Sequence, residues 1–136
     1  MKRIKSAVVS IQLLVILNAF GGGYYGMAGA SGVDPAWLEG SPFSSYFVPS
    51  LFLFAVVGGG METAGAAWLR RNRLAPWLSL GMGVTLIAWI VAQLAIIGYV
   101  SPPQPISFAA GTAIAALALT FLRREHTRAA RLSGAA

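Results

Sequence analysis

The amino-acid sequence predicts an all-α polytopic membrane protein, a four-transmembrane-helix bundle with both ends in the cytoplasm (N-in/C-in). Three observations carry that expectation. The 136 residues are 57% hydrophobic and only 10% charged, with a mean hydropathy of +0.70, whereas about a quarter of a soluble domain is charged. Four stretches approach the roughly 20 apolar residues that a helix needs to cross a hydrocarbon core of about 30 Å. All ten Lys and Arg residues fall outside those stretches and on alternate connections.

The first span runs from about 7 to 26 and follows Lys2, Arg3 and Lys5. The second covers about 48–69 and the third about 76–100, with Arg70, Arg71 and Arg73 between them. The fourth covers about 105–122 and is followed by a basic tail over 123–136 that holds Arg123, Arg124, Arg128 and Arg131. Positive residues are retained on the cytoplasmic side, so both termini and the middle connection are expected inside. The opposite connections carry only Asp34 and Glu39. An even number of spans agrees with that orientation, and the expected location is the inner (plasma) membrane. Length allows a single domain.

The start of the chain, Lys2-Arg3-Ile4-Lys5 before an apolar run and Ala28-Gly29-Ala30, has the layout of a secretory signal. The apolar stretch up to Gly26 is longer than a usual signal core, so the segment is expected to be a retained span. Aromatic rings favour the headgroup region. Tyr24, Tyr25, Trp37, Tyr46 and Tyr99 are expected near the outer boundary, and Trp68 and Trp77 near the inner one. Trp89 falls inside the hydrocarbon depth.

Each span offers a stripe of small residues, on which helices in lipid associate by close packing. These are Gly22 and Gly26 in the first span, and Gly58 and Gly65 beside Glu62 in the second. The third has Gly81, Thr85, Ala88, Ala92 and Ala95, and the fourth Ala109, Ala113, Ala116 and Thr120. The stripes serve contacts within one chain or between chains. The long first outer connection, 28–47, reads as an interfacial lid, and the second, 101–105, as a stiff tight turn held by Pro102, Pro103 and Pro105.

The run Leu38-Glu39-Gly40-Ser41-Pro42-Phe43 with Tyr46 and Pro49, Trp89-Ile90 with Gln93, and Gln104-Pro105 before a Gly-containing last span resemble small four-helix bacterial membrane proteins, loosely DoxX-like in size and architecture. The resemblance implies a bacterial inner-membrane protein without established chemistry, and it transfers no functional residue.

Glu62 is the one acid inside a span. It lies about 12 Å from the inner boundary by helix rise. A carboxylate at that depth has to be neutralised, paired or hydrated. The spacing of Gly58 and Gly65 predicts that it points at a neighbouring helix. Asn18, Thr85 and Thr112 reach a similar depth, roughly 13–16 Å in, so these four are expected to form one hydrogen-bonded layer. Glu62→Gln is expected to keep the fold and Glu62→Lys to damage it. Gln93 lies one turn from Trp89, a pair suited either to a ligand pocket or to helix packing, with packing favoured.

Several chemistries are excluded. The chain has no cysteine and a single histidine, His126, so thiol chemistry and a self-contained metal or haem site are ruled out. The glycine triplets 21–23 and 58–60 lie in apolar spans and cradle no phosphate. A Ser-His-Asp constellation would need His126 and Asp34, which fall on opposite faces of the membrane. No catalytic residue, metal or cofactor is therefore expected. The basic tail lacks aromatic interleaving, so nucleic acid is not an expected partner. The expected partners are the lipid bilayer and further copies of the chain or other membrane subunits. Function is expected to be that of a non-enzymatic packing scaffold or accessory subunit, or a homo-oligomer; the alternative is a small proton-coupled transporter or channel using Glu62.

Overall fold

The computed structural model describes residues 2–29, 47–97 and 103–134. Those residues form helix α1 (Lys2–Met27), α2 (Phe47–Phe52), a π-helical segment (Leu53–Gly58), α3 (Gly59–Leu69), α4 (Ala75–Ile97) and α5 (Pro103–Leu132). Because α2, the π segment and α3 follow without a break, they make one rod. Among the described residues the regular structure is all helical, with four helices long and apolar enough to cross a membrane. The lid expected over 28–47 and the turn over 101–105 lie largely outside the described residues, as do Trp37, Tyr46 and Tyr99.

Local chemistry explains the helix ends. Pro49, Pro76 and Pro103 stand within the first turns of α2, α4 and α5, where a missing N–H breaks no helical bond. At the other end of the second rod, the Asn72 N–H donates to the Ala67 carbonyl (2.9 Å) and the Arg71 N–H to the Trp68 carbonyl (3.1 Å). These two bonds close a Schellman motif, with Arg71 at φ 55° in the position glycine usually takes. The Asn72 side chain then accepts from the Leu74 N–H at 2.9 Å, which turns the chain into α4. Helix α5 continues through Arg123 and Arg131 to Leu132, because Ala, Glu, Leu and Arg sustain a helix.

The rods form a closed ring, each packing on the next in chain order and α5 returning to α1. Neighbours are antiparallel: α1 meets the second rod through Gly23 with Phe54 and Phe20 with Gly58. Within each hairpin the helices approach closely, while between the second rod and α4 a Cβ on Gly60 would lie 2.5 Å from the flexible end of Met82. A Cβ on Gly23 would lie 2.7 Å from that of Phe54, and one on Gly58 would lie 2.9 Å from the Phe20 ring. A Cβ on Gly83 would lie 2.8 Å from the Gly111 carbonyl oxygen, and one on Gly111 would lie 3.0 Å from that of Gly83. The bundle is thus two tight hairpins, α1 with the second rod and α4 with α5, joined along a seam.

Gly58 and Gly65 of the expected stripe in the second span are buried at contacts with α1, but the other stripes differ from the contact faces. Gly22, Gly81, Ala88, Ala92, Ala95, Ala109, Ala116 and Thr120 are exposed, and Thr85 and Ala113 half-buried. The buried face of α4 is Ser79, Gly83, Leu86 and Ile90, and that of α5 includes Gln104, Gly111, Ile114 and Ala118. Small residues recur on more than one side of each helix. Where all sides are apolar, periodicity does not say which one is turned inward.

Candidate functional site

At the end of the bundle that carries the basic residues, polar side chains close the seam. The Ser79 hydroxyl oxygen accepts a bond from Gln12 Nε2 at 2.8 Å and another from Trp68 Nε1 at 2.7 Å. Gln12 and Ser79 are fully buried and Trp68 nearly so. Phe121 meets the Trp68 ring edge-on, with centroids 4.9 Å apart, and fully buried Met61 packs in the same core. Gln12 Oε1 has no partner among the described residues. Exchanging the amide nitrogen and oxygen would let the Ser79 hydroxyl donate, and would leave the nitrogen orphaned in its place. Trp68, expected at an interface, is instead a core residue whose indole N–H is used internally. Trp77, Tyr24 and Tyr25 are exposed.

Toward the opposite end the seam widens into a cavity of about 290 Å³. It is walled by Asn18 of α1, Leu53 and Val57 of the π segment, Trp89 and Gln93 of α4, and Ser107 of α5, among others. Three residues singled out from the sequence, Asn18, Trp89 and Gln93, therefore meet here. Trp89 stacks on Phe52 with centroids 4.5 Å apart and 25° between planes, and its Nε1 is buried without a partner among the described residues. Gln93 Oε1 accepts a bond from Gln104 Nε2 at 3.3 Å. Asn18, exposed at the mouth of the cavity, and half-buried Ser107 make no side-chain hydrogen bond among the described residues. Among the described residues no charged side chain lines the cavity. The π segment is a second mark of the place, since such turns are rare and concentrate at functional sites.

The expected layer of Glu62, Asn18, Thr85 and Thr112 does not form. Thr85 Oγ1 donates to the Gly81 carbonyl at 2.7 Å and Thr112 Oγ1 to the Phe108 carbonyl at 2.9 Å. Each hydroxyl is satisfied one turn back on its own helix, a local bond that competes with any bond across the bundle. Glu62 is exposed and has neither an ion pair nor a hydrogen bond among the described residues. The buried face of this rod is centred on Val57, Met61, Ala64 and Trp68, spaced i, i+4, i+7 and i+11. Gly58 and Gly65 sit at its edge, so Glu62 lies just past that edge and turns outward. Comparison with protein-family models, curated proteins and solved structures finds no match to this chain.

Gln12, Ser79 and Ser107 are not distinguished by sequence reasoning, and Gln104 is noted only beside Pro105 at the start of the last span. A glutamine within the first apolar run is the readable signal for Gln12. Nothing in the pattern around Ser79 marks it as the acceptor of two bonds. At the basic end, Arg123, Arg124, Arg128 and Arg131 share one face of the α5 extension with Thr120 and Thr127. Among the described residues no group of acidic, His or Cys side chains is placed to hold a metal.

Proposed function

We propose that this chain is an integral protein of the bacterial inner membrane, with both termini and the Arg70–Arg73 turn in the cytoplasm. Its role in this reading is non-enzymatic: it assembles, as a homo-oligomer or as an accessory subunit of a membrane complex. Support for insertion comes from the four apolar helices, and support for orientation from the basic residues, which flank those helices at one end of the antiparallel bundle.

The observation that carries the assembly reading is the outward face around Glu62. Ala55, Gly59, Glu62 and Ala66 follow one another at i, i+4, i+7 and i+11, exposed or half-buried. A Cβ on Gly59 would meet no atom within 4 Å. Hydrocarbon cannot hydrogen-bond a carboxyl group. A second protein surface packed over these small residues can approach closely and supply the missing partner.

The test is native mass spectrometry of the complex drawn gently from host membranes, joined to cross-linking of a Gly59→Cys variant of this cysteine-free chain. A reproducible multiple of the chain, with the introduced thiol cross-linked between copies, supports the homo-oligomer. A constant second polypeptide supports the accessory subunit. A lone monomer in mild detergent, without cross-links in the membrane, refutes both.

The unpaired state of Glu62 also favours a second reading, a proton-linked carrier formed where copies meet, since four helices are few for a pathway. Proton flux in proteoliposomes that survives Glu62→Gln would exclude it.

A further inference from the structure

We infer that the cavity between the two hairpins is a binding site for a neutral amphiphile, a molecule with an apolar body and an uncharged hydroxyl or carbonyl group. The inference is independent of the assembly reading. It rests on the lining and on how unevenly the polar groups of the seam are satisfied.

The volume of about 290 Å³ lies at the lower end of the range for small-molecule sites, which are mostly apolar with a few placed polar groups. The walls here fit that description. Leu53, Val57, Leu86 and Ile90 supply aliphatic surface, and Trp89 adds an aromatic ring braced by Phe52. The polar groups are amides, a hydroxyl and the Trp89 indole N–H, which is buried without a partner among the described residues, and no described Asp, Glu, Lys or Arg is among them. Among the described residues an ion would find no counter-charge to offset its desolvation penalty.

A pure hydrocarbon fits poorly for the opposite reason. The Asn18 amide and the Ser107 hydroxyl have no side-chain partner among the described residues, and Gln93 uses only its oxygen, toward Gln104. An acyl chain filling the space would leave these groups unsatisfied, each at a free-energy penalty. One hydroxyl or carbonyl on the occupant relieves it, because amides and hydroxyls both donate. The shape of the seam makes the space persistent. Gly83 against Gly111 and Gly23 against Phe54 fix each hairpin, and the Gln12–Ser79–Trp68 bonds hold the hairpins together at the other end.

The test uses the full chain in lipid nanodiscs and three photoreactive probes of equal length: a medium-chain alcohol bearing a diazirine, the matching hydrocarbon and the matching carboxylate. Labelled peptides are mapped by mass spectrometry, with unlabelled alcohol as competitor. The expected result is saturable labelling of residues lining the cavity by the alcohol, well above that by hydrocarbon or carboxylate. Ala110, which lines the cavity, supplies an occluding variant: Ala110→Phe should abolish the signal. Asn18→Leu with Gln93→Leu should lower alcohol labelling by about threefold for each hydrogen bond removed, and leave hydrocarbon labelling unchanged. If Ala110→Phe fails to fold, competition on the unmodified chain decides alone. Equal labelling by alcohol and hydrocarbon would mean a lipid tail fills the space, and preference for the carboxylate or labels outside the cavity would overturn the assignment.

Discussion

Ser79→Ala is the most direct test of how the hairpins are joined. The substitution removes a single oxygen that accepts from Gln12 Nε2 at 2.8 Å and Trp68 Nε1 at 2.7 Å. Both donors then remain buried with no acceptor. An orphaned buried donor costs about 1–3 kcal/mol, and bonds inside lipid-embedded bundles average nearer about 0.6 kcal/mol, so the summed loss is about 2 kcal/mol within a range of about 1–4. Gln12→Leu behaves differently. It gives up one bond and also removes the amide oxygen that already lacks a partner, so stability should stay within about 1 kcal/mol of the parent. In the double variant only the Trp68 N–H is newly orphaned, and the pair should recover about 1 kcal/mol of the Ser79→Ala loss as a coupling energy. Steric-trap unfolding in bicelles measures all four corners of the cycle. A Ser79→Ala chain as stable as the parent, or strictly additive variants, would refute the claim that this oxygen joins the hairpins.

Three further outcomes follow from the packing. Gly83→Val places a Cβ 2.8 Å from the Gly111 carbonyl oxygen and should destabilise by about 1–3 kcal/mol, while Gly81→Ala, whose Cβ meets nothing within 4 Å, should be neutral or stabilising in the same unfolding assay. Glu62→Gln and Glu62→Lys should both retain the helicity and fold of one chain by circular dichroism, because the side chain is outside the core; Glu62→Lys should abolish the native-mass assembly and Glu62→Gln weaken it. Arg71→Gly should stabilise by roughly 0.5–1 kcal/mol by removing the left-handed penalty at φ 55°, and a lower stability would mean that the Arg71 charge outweighs the backbone term.

The number of helices and most of their ends are legible because lipid-scale hydropathy and proline placement are properties of the chain itself. Helix α1 starts at Lys2 and α5 runs to Leu132, beyond the apolar stretches, because Lys, Arg, Glu and Ala also sustain a helix. The azimuth of each helix is not legible. In α4, Gly81 and Gly83 are both small and two residues apart, yet only Gly83 touches α5. That difference is decided by which hairpin packs more closely, a property of the whole bundle. Thr85 and Thr112 are not the cross-helix donors that their positions suggest, because spacing shows depth and omits the nearby i−4 carbonyl. The π segment leaves no mark in composition: Leu53-Phe54-Ala55-Val56-Val57-Gly58 reads as an ordinary apolar helix. Trp89 and Gln93 are recognisable as a pair one turn apart, and the structure adds Asn18 by bringing α1 across the seam.

Polar groups along the seam divide into two kinds, and the division implies two different responses to the same chemical change. Near the basic end Gln12, Ser79 and Trp68 bond one another, so making one of them apolar strands another. In the cavity the Asn18 amide and Ser107 hydroxyl have no side-chain partner among the described residues, so making either apolar strands nothing within the chain. Asn18→Leu, which replaces an exposed amide without a side-chain partner among the described residues, should therefore leave unfolding stability unchanged within about 0.5 kcal/mol, while reducing capture of the alcohol probe. A residue kept for packing would respond in the other direction, losing stability with no selective effect on the probe. If Asn18→Leu destabilises the chain as much as Ser79→Ala does, the two ends of the seam are equivalent structural contacts, and the cavity has no claim to be a site.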